Sequence, residues 1–139
     1  MENCIFCKII KGEIPSSKIY EDQNVFVFLD INPITIGHCL VIPKEHSDDI
    51  FDTKDEALKD VIIVGKIMSE RLKEKLGATA VNLVNSSGKD AEQGVPHFHL
   101  HVIPRYGNDE LHIADWWQSK VKKFKPEELK RLAEKINNS

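Results

Sequence analysis

Three histidines, His97, His99 and His101, alternate with Phe98, Leu100 and Val102. Imidazole changes charge near neutral pH, and in its neutral form it can act as nucleophile, proton carrier or metal ligand. Alternation with apolar residues is a strand signature, because side chains two residues apart share a face. The three imidazoles are therefore expected on one surface, with the apolar residues turned into a core. A single ion held by all three is excluded by reach. At a rise of ~3.3 Å per residue, the Cα atoms of His97 and His101 are roughly 13 Å apart. Two ligands of one zinc must bring their nitrogens within about 4 Å. At least one imidazole is left for other work.

Cys4 and Cys7 have the spacing of half a tetrahedral zinc site. His46 and one of the three alternating histidines could complete a Cys₂His₂ set. Four protein ligands would close such a site, making it structural and tying the N-terminal segment to the sheet. No thioredoxin-like βαβ pattern surrounds the pair, which lowers the redox alternative. Cys39 reads as a small core hydrophobe. Asp30 and Asn85, both at strand ends, read as turn residues or as ligand-binding groups. His112 lies outside every motif.

The elements that must position these residues follow from pattern. A short helix or turn carries the cysteines and stops near Gly12 and Pro15. Strands are expected over 18–21, 25–29, 37–43 and 80–85, with the histidine segment 95–104 as a fifth. Thr53 and Glu56 have capping-box spacing ahead of Ala57, Val61, Val64, Met68, Leu72 and Leu76, which recur at helical steps until Gly77. Arg105 to Asn108 is turn-like, and residues 112–121, with Trp116 and Trp117, show no clear period. A last helix spans 126–137 with Pro126 at its first turn. The order β–β–β–α–β–β predicts an α+β fold: a five-stranded antiparallel sheet with one long helix on a face and a C-terminal helix.

With 139 residues, 41% hydrophobic and 29% charged, the chain fits one globular domain. Its net charge of −3 lends no support to a broad nucleic-acid footprint. An odd cysteine count argues for a reducing compartment, and no signal-peptide pattern or spanning apolar run is evident, so a cytoplasmic protein without a membrane partner is expected.

The segment His97-Phe98-His99-Leu100-His101-Val102-Ile103 resembles the defining motif of the histidine triad (HIT) superfamily of nucleotide-binding proteins and hydrolases. Further likenesses occur in family order: Cys4 to Ile10 with Gly12-Glu13-Ile14-Pro15, Phe28 to Ile31, Gly37-His38 with Leu40 to Lys44 and His46, and Asn85 with Gln93. They cover about residues 4–106 and look most like the small bacterial HINT-like branch, with 107–139 as a C-terminal extension of a single HIT domain.

The resemblance implies a homodimer whose sheets join, and cleavage at the α-phosphorus of a purine nucleoside phosphoramidate or related nucleotide, such as a dinucleoside polyphosphate. By its pattern His99 would be the nucleophile, forming a nucleotidyl-histidine, while His101 and His38 contact phosphate or orient the site. Asp30 would accept from ribose hydroxyls, and Phe6 and Ile31 would line the base pocket. Asn85 and Gln93 would bind phosphate and leaving-group atoms. In zinc-bearing relatives the positions of Cys4, Cys7, His46 and His97 hold the metal. The chemistry needs no divalent ion, because a neighbouring imidazolium and backbone N–H groups can stabilise phosphoryl charge. Gly94 departs from relatives that carry a hydroxyl there, which predicts altered leaving-group preference or low turnover. Trp116 and Trp117 lie in a region that can reach the partner's site. A nucleotide-binding regulatory protein with little catalysis, or a mainly zinc-centred protein, are the alternatives.

Overall fold

The computed structural model describes residues 3–138. It divides into two compact units between Asp109 and Glu110, just past the expected edge of the core at Tyr106. The first unit holds α1 (Ile5–Ile10), β1 (Lys18–Glu21), β2 (Val25–Leu29), β3 (Cys39–Pro43), α2 (Asp55–Leu76), β4 (Ala80–Val84) and β5 (Leu100–Arg105). The five strands form one antiparallel sheet in the order β1-β2-β3-β5-β4. The α+β expectation and its sheet are present.

Alternation explains how this sheet is covered on both sides. Val25 and Val27 of β2, with Cys39 and Val41 of β3, pack with Val61, Val64, Met68 and Leu72 of α2. Their neighbours Phe26, Phe28, Leu40 and Ile42 form a second cluster with Cys4, Phe6 and Ile9 of the N-terminal segment. Each fully buried aliphatic or aromatic side chain contributes on the order of 1.5–3 kcal/mol, so neither layer is dispensable. On β5, Leu100 and Val102 join the α2 side, whereas His101 lies directly opposite Leu40 on the α1 side. The face that carries His101 is the one covered by the cysteine-bearing helix.

Several local expectations are corrected. The histidine segment bends over residues 94–97, with the His97 N–H bonded to the Val95 carbonyl, and the regular strand begins only at Leu100, because pairing with β3 ends at Val41–Leu100 and with β4 at Val84–His101. The third strand likewise starts at Cys39 rather than residue 37. The long helix starts at Asp55, and Thr53 is not its cap. The Thr53 hydroxyl is buried, bonded to Ser47 Oγ at 2.7 Å and donating to the Asp49 carbonyl, while Glu56 pairs with Lys59. Leu76, on the last turn of α2, is 47% exposed rather than core. Gly77 ends the helix with φ +75°, the left-handed conformation that glycine adopts without strain.

The second unit contains α3 (Ile113–Ser119) and α4 (Pro126–Asn137). Helix α3, with both tryptophans exposed, falls where the sequence shows no period. Helix α4 has the expected bounds. Its start is set by Pro126 at the first turn and by the Glu128 carboxylate, which accepts from the Lys125 N–H at 3.2 Å. Among the described residues no helix is long and apolar enough to cross a membrane.

Candidate functional site

The first cluster is made by Cys4 and Cys7 from the start of α1, His46 from just after β3, and His97 from ahead of β5. Their ligand atoms all lie within 4.8 Å of one another. Cys4 Sγ is 3.3 Å from His97 Nδ1, Cys7 Sγ is 3.3 Å from His46 Nδ1 and 3.6 Å from His97 Nδ1, and the two Nδ1 atoms are 3.2 Å apart. A tetrahedron with zinc-like bonds has edges of about 3.3–3.8 Å, so the donor set fits such an ion. The outer nitrogens support that orientation. His97 Nε2 donates to the Pro43 carbonyl at 2.8 Å and His46 Nε2 to Asp48 at 2.9 Å, turning both Nδ1 lone pairs inward. Burial and the neighbouring Cys4 push the Cys7 thiol up to about 11. A thiol so placed carries little thiolate for disulfide exchange, whereas a bound cation would displace its proton.

The second cluster is a hydrogen-bonded chain, in which His38 Nδ1 faces the Ile34 N–H at 3.2 Å and must accept. The proton of neutral His38 therefore sits on Nε2 and is donated to His101 Nδ1 at 2.9 Å. His101 then carries its own proton on Nε2. Asp30 lies at the same end, 3.6 Å from His38 Nε2, with its other oxygen accepting from the Asn32 N–H at 2.8 Å. Asp30, His38 and His101 are close enough to share a cation. The Ile34 N–H argues against it, since His38 could bind through Nε2 only by placing a proton against that donor. Burial lowers His38, against the pull of Asp30, and pushes His101 down to about 4, with His99 and His38 adding to that shift. Both are neutral at pH 7. In this form His101 offers an N–H donor through Nε2.

His99 lies between the two clusters. Its Nδ1 donates to the His97 carbonyl at 2.7 Å, which places the lone pair of the neutral tautomer on Nε2, an atom with no hydrogen-bond partner among the described residues. Phe6 stands edge-on to the His99 ring at 5.3 Å and to His97 at 5.9 Å, so α1 braces both imidazoles. Asn85 Nδ2 donates to the His99 carbonyl at 2.9 Å. Gln93 turns its amide into the loop, donating to the carbonyls of Asp48 and Val95 and accepting from the Gly88 N–H. Ile31 is 89% exposed, and a Cβ added at Gly94 would meet nothing within 4 Å. Sequence reasoning missed the loop 46–53. Its Ser47 carbonyl accepts from the Phe98 N–H, and Asp48 orients His46. Only the cluster of polar residues from 45 to 53 hinted at it.

This site geometry coincides with a family-level match: the HIT domain model aligns with residues 11–108. The chain belongs to the histidine triad family. Similar HIT proteins span nearly its whole length. Protein hit of Bacillus subtilis is 41% identical over 97% of this chain and 92% of its own. Adenosine 5′-monophosphoramidase of Schizosaccharomyces pombe is 38% identical, covering 98% and 97% of the two chains. A zinc-bound histidine triad family protein from Mycobacterium smegmatis superposes with a TM-score of 0.78 and 42% identity, over 81% of each chain. The triad histidines and the Cys/His cluster lie on the α1-covered side of the sheet.

Proposed function

We propose that this HIT protein is a nucleotidyl hydrolase acting at the α-phosphorus of purine nucleoside phosphoramidates or related nucleotides. The observation that carries the reading is the His99 Nδ1–His97 carbonyl bond, which fixes the tautomer so that the lone pair of a neutral ring sits on Nε2. That atom attacks phosphorus, the bond to the leaving amine breaks, and the amine departs with a proton taken from solvent. Water then attacks the nucleotidyl-imidazole and gives up a proton to solvent, the P–N bond to His99 breaks, and His99 returns as the neutral base. Imidazole suits both halves, being a nucleophile at neutral pH and a fair leaving group. The Nε2–H of His101, held outward by His38, hydrogen-bonds a phosphoryl oxygen as charge develops. Asp30 takes the ribose hydroxyls, and Ile31 and Phe6 border the base. Asn85 and Gly94, with Gln93 bracing the loop, lie on the leaving-group side. The phosphoramidase name of the fission-yeast relative supports this substrate class.

Cys4, Cys7, His46 and His97 hold a structural zinc in this reading, supported by their separations and by the zinc-bound mycobacterial relative. Zinc supplies cross-linking of α1 to the sheet and no chemical step. The chain works as a cytoplasmic homodimer. The test is mass spectrometry after brief exposure to adenosine 5′-phosphoramidate. A nucleotidyl adduct on His99 is expected, and His99→Ala should lose both adduct and turnover. A fully active His99→Ala enzyme would sink the reading. A regulatory nucleotide-binding role is favoured by one observation, the missing hydroxyl at Gly94, and would show as tight nucleotide binding without adduct.

A further inference from the structure

His99 is the first residue beyond both of its ladders, since β3 pairs no further than Leu100 and β4 no further than His101. Its carbonyl is held instead by a side chain, Asn85 Nδ2, at 2.9 Å. Asn85 in turn is held by Ser87, whose Oγ lies 2.7 Å from Asn85 Oδ1, and Ser87 Oγ receives the Ile50 N–H at 2.9 Å. The direction of this relay is forced. A backbone N–H at its head can only donate and a carbonyl at its end can only accept, so the Ser87 proton must point to Asn85 Oδ1. The relay thereby decides which way the Asn85 amide faces. It anchors the nucleophile's backbone to the loop 46–53, the same loop whose Asp48 orients His46.

We propose that Ser87 is a positioning residue for the nucleophile, acting through Asn85. This rests on the nucleotidyl-hydrolase reading for its kinetic consequence, but not for its structural one. With Ser87 in place, Asn85 is tethered at both ends of its amide. One Nδ2 hydrogen is committed to the His99 carbonyl, and the second is left to be donated to a phosphoryl or leaving-group atom. Asn85 then presents a donor and never an acceptor to the substrate. Without the hydroxyl, Oδ1 turns to water and the tether has one end. The Ile50 N–H is on an exposed loop and can take water instead, so the fold loses little.

The experiment compares Ser87→Ala and Ser87→Thr with the unaltered chain on adenosine 5′-phosphoramidate at pH 7. Ser87→Ala is expected to lower kcat by roughly tenfold, about what one hydrogen bond's loss in a transition state gives, with KM changing less than about twofold. Ser87→Thr, which keeps the hydroxyl, is expected to restore kcat to within about threefold by the same reasoning. NMR of the Asn85 side-chain amide gives a readout independent of turnover. The proton bonded to the His99 carbonyl should exchange slowly with water in the unaltered chain and in Ser87→Thr, and fast in Ser87→Ala. Unchanged kcat in Ser87→Ala, failure of Thr to rescue, or equal amide exchange in all three would overturn the proposal. So would an Ala variant that loses its fold, since Ser87 would then be structural. If the unaltered chain turns over no nucleotide, the functional reading falls while amide exchange still decides the relay.

Discussion

At the scale of single residues, the tautomer of each imidazole is decided by which backbone group it meets. The Ile34 N–H, the His97 carbonyl and the Pro43 carbonyl set His38, His99 and His97 in turn. Burial has a thermodynamic consequence for His101. Its folded pKa of about 4 lies below the ordinary value of 6.5, so the unfolded chain binds the extra proton between those values. Stability from this group is therefore present above about pH 6.5 and is lost as pH falls toward 4; His38, also lowered, adds in the same direction. Thermal midpoints should fall over that window, and His101→Asn should flatten the slope. A parallel slope in the variant would contradict it. Gly94 makes a second prediction at this scale. Because a side chain there meets open space, Gly94→Ser should fold normally and raise phosphoramidate turnover by roughly tenfold or more, about one charge-assisted hydrogen bond's worth. Steady-state kinetics showing no change would remove the hydroxyl argument.

At the scale of elements, α1 is too short to be stable alone and holds its place through what it touches. Phe6 and Ile9 are buried against β2 and β3, and the two cysteines reach His46 and His97. Removing zinc by a chelator should lower the thermal midpoint by several degrees or more, the response expected of a small domain losing a cross-link. Activity below the new midpoint should persist. Activity lost at once with folding intact would make the metal catalytic. The sequence was legible here to the extent that side-chain period decides structure. β1, β2 and α4 have the expected bounds, and the two faces of β2 and β3 separate as alternation requires. Strand ends were not legible, because β5 begins where its partners permit, and partners are non-local. The Thr53 cap failed for a similar reason: a buried Ser47 hydroxyl, distant from the helix, claimed the side chain. The cysteine pair and the histidine row could be named from spacing, whereas Asp30, His38, Asn85 and Gln93 entered the site only through the resemblance to the HIT family. The brace through Asn85, Ser87 and Ile50 could not be named, since serine and asparagine in a loop carry no period.

At the scale of the whole molecule, the sheet ends on β4, an open edge with Leu83 and Val84 exposed. Leu83 lies opposite Val102 and so shares the α2 face, where Ile62 and Ile63 of α2 are also exposed. An edge with unpaired backbone and apolar side chains is an expected pairing site, and a second copy supplies its own complement through two-fold symmetry. Light scattering should return the mass of two chains, and Leu83→Lys should move it toward one. A single-chain mass for the unaltered protein would refute the dimer.

His97 divides its work between two kinds of atom. Its ring belongs to the metal cluster, but the group that orients His99 is its main-chain carbonyl, which every amino acid possesses. Descent could therefore strip away the cysteines, His46 and even the ring at 97 while leaving the orientation of His99 intact, provided the chain kept its path. Loss of the proposed metal would be a survivable evolutionary step, compensated by better packing under α1, and the alternating row would outlast the Cys/His cluster that one of its members joins.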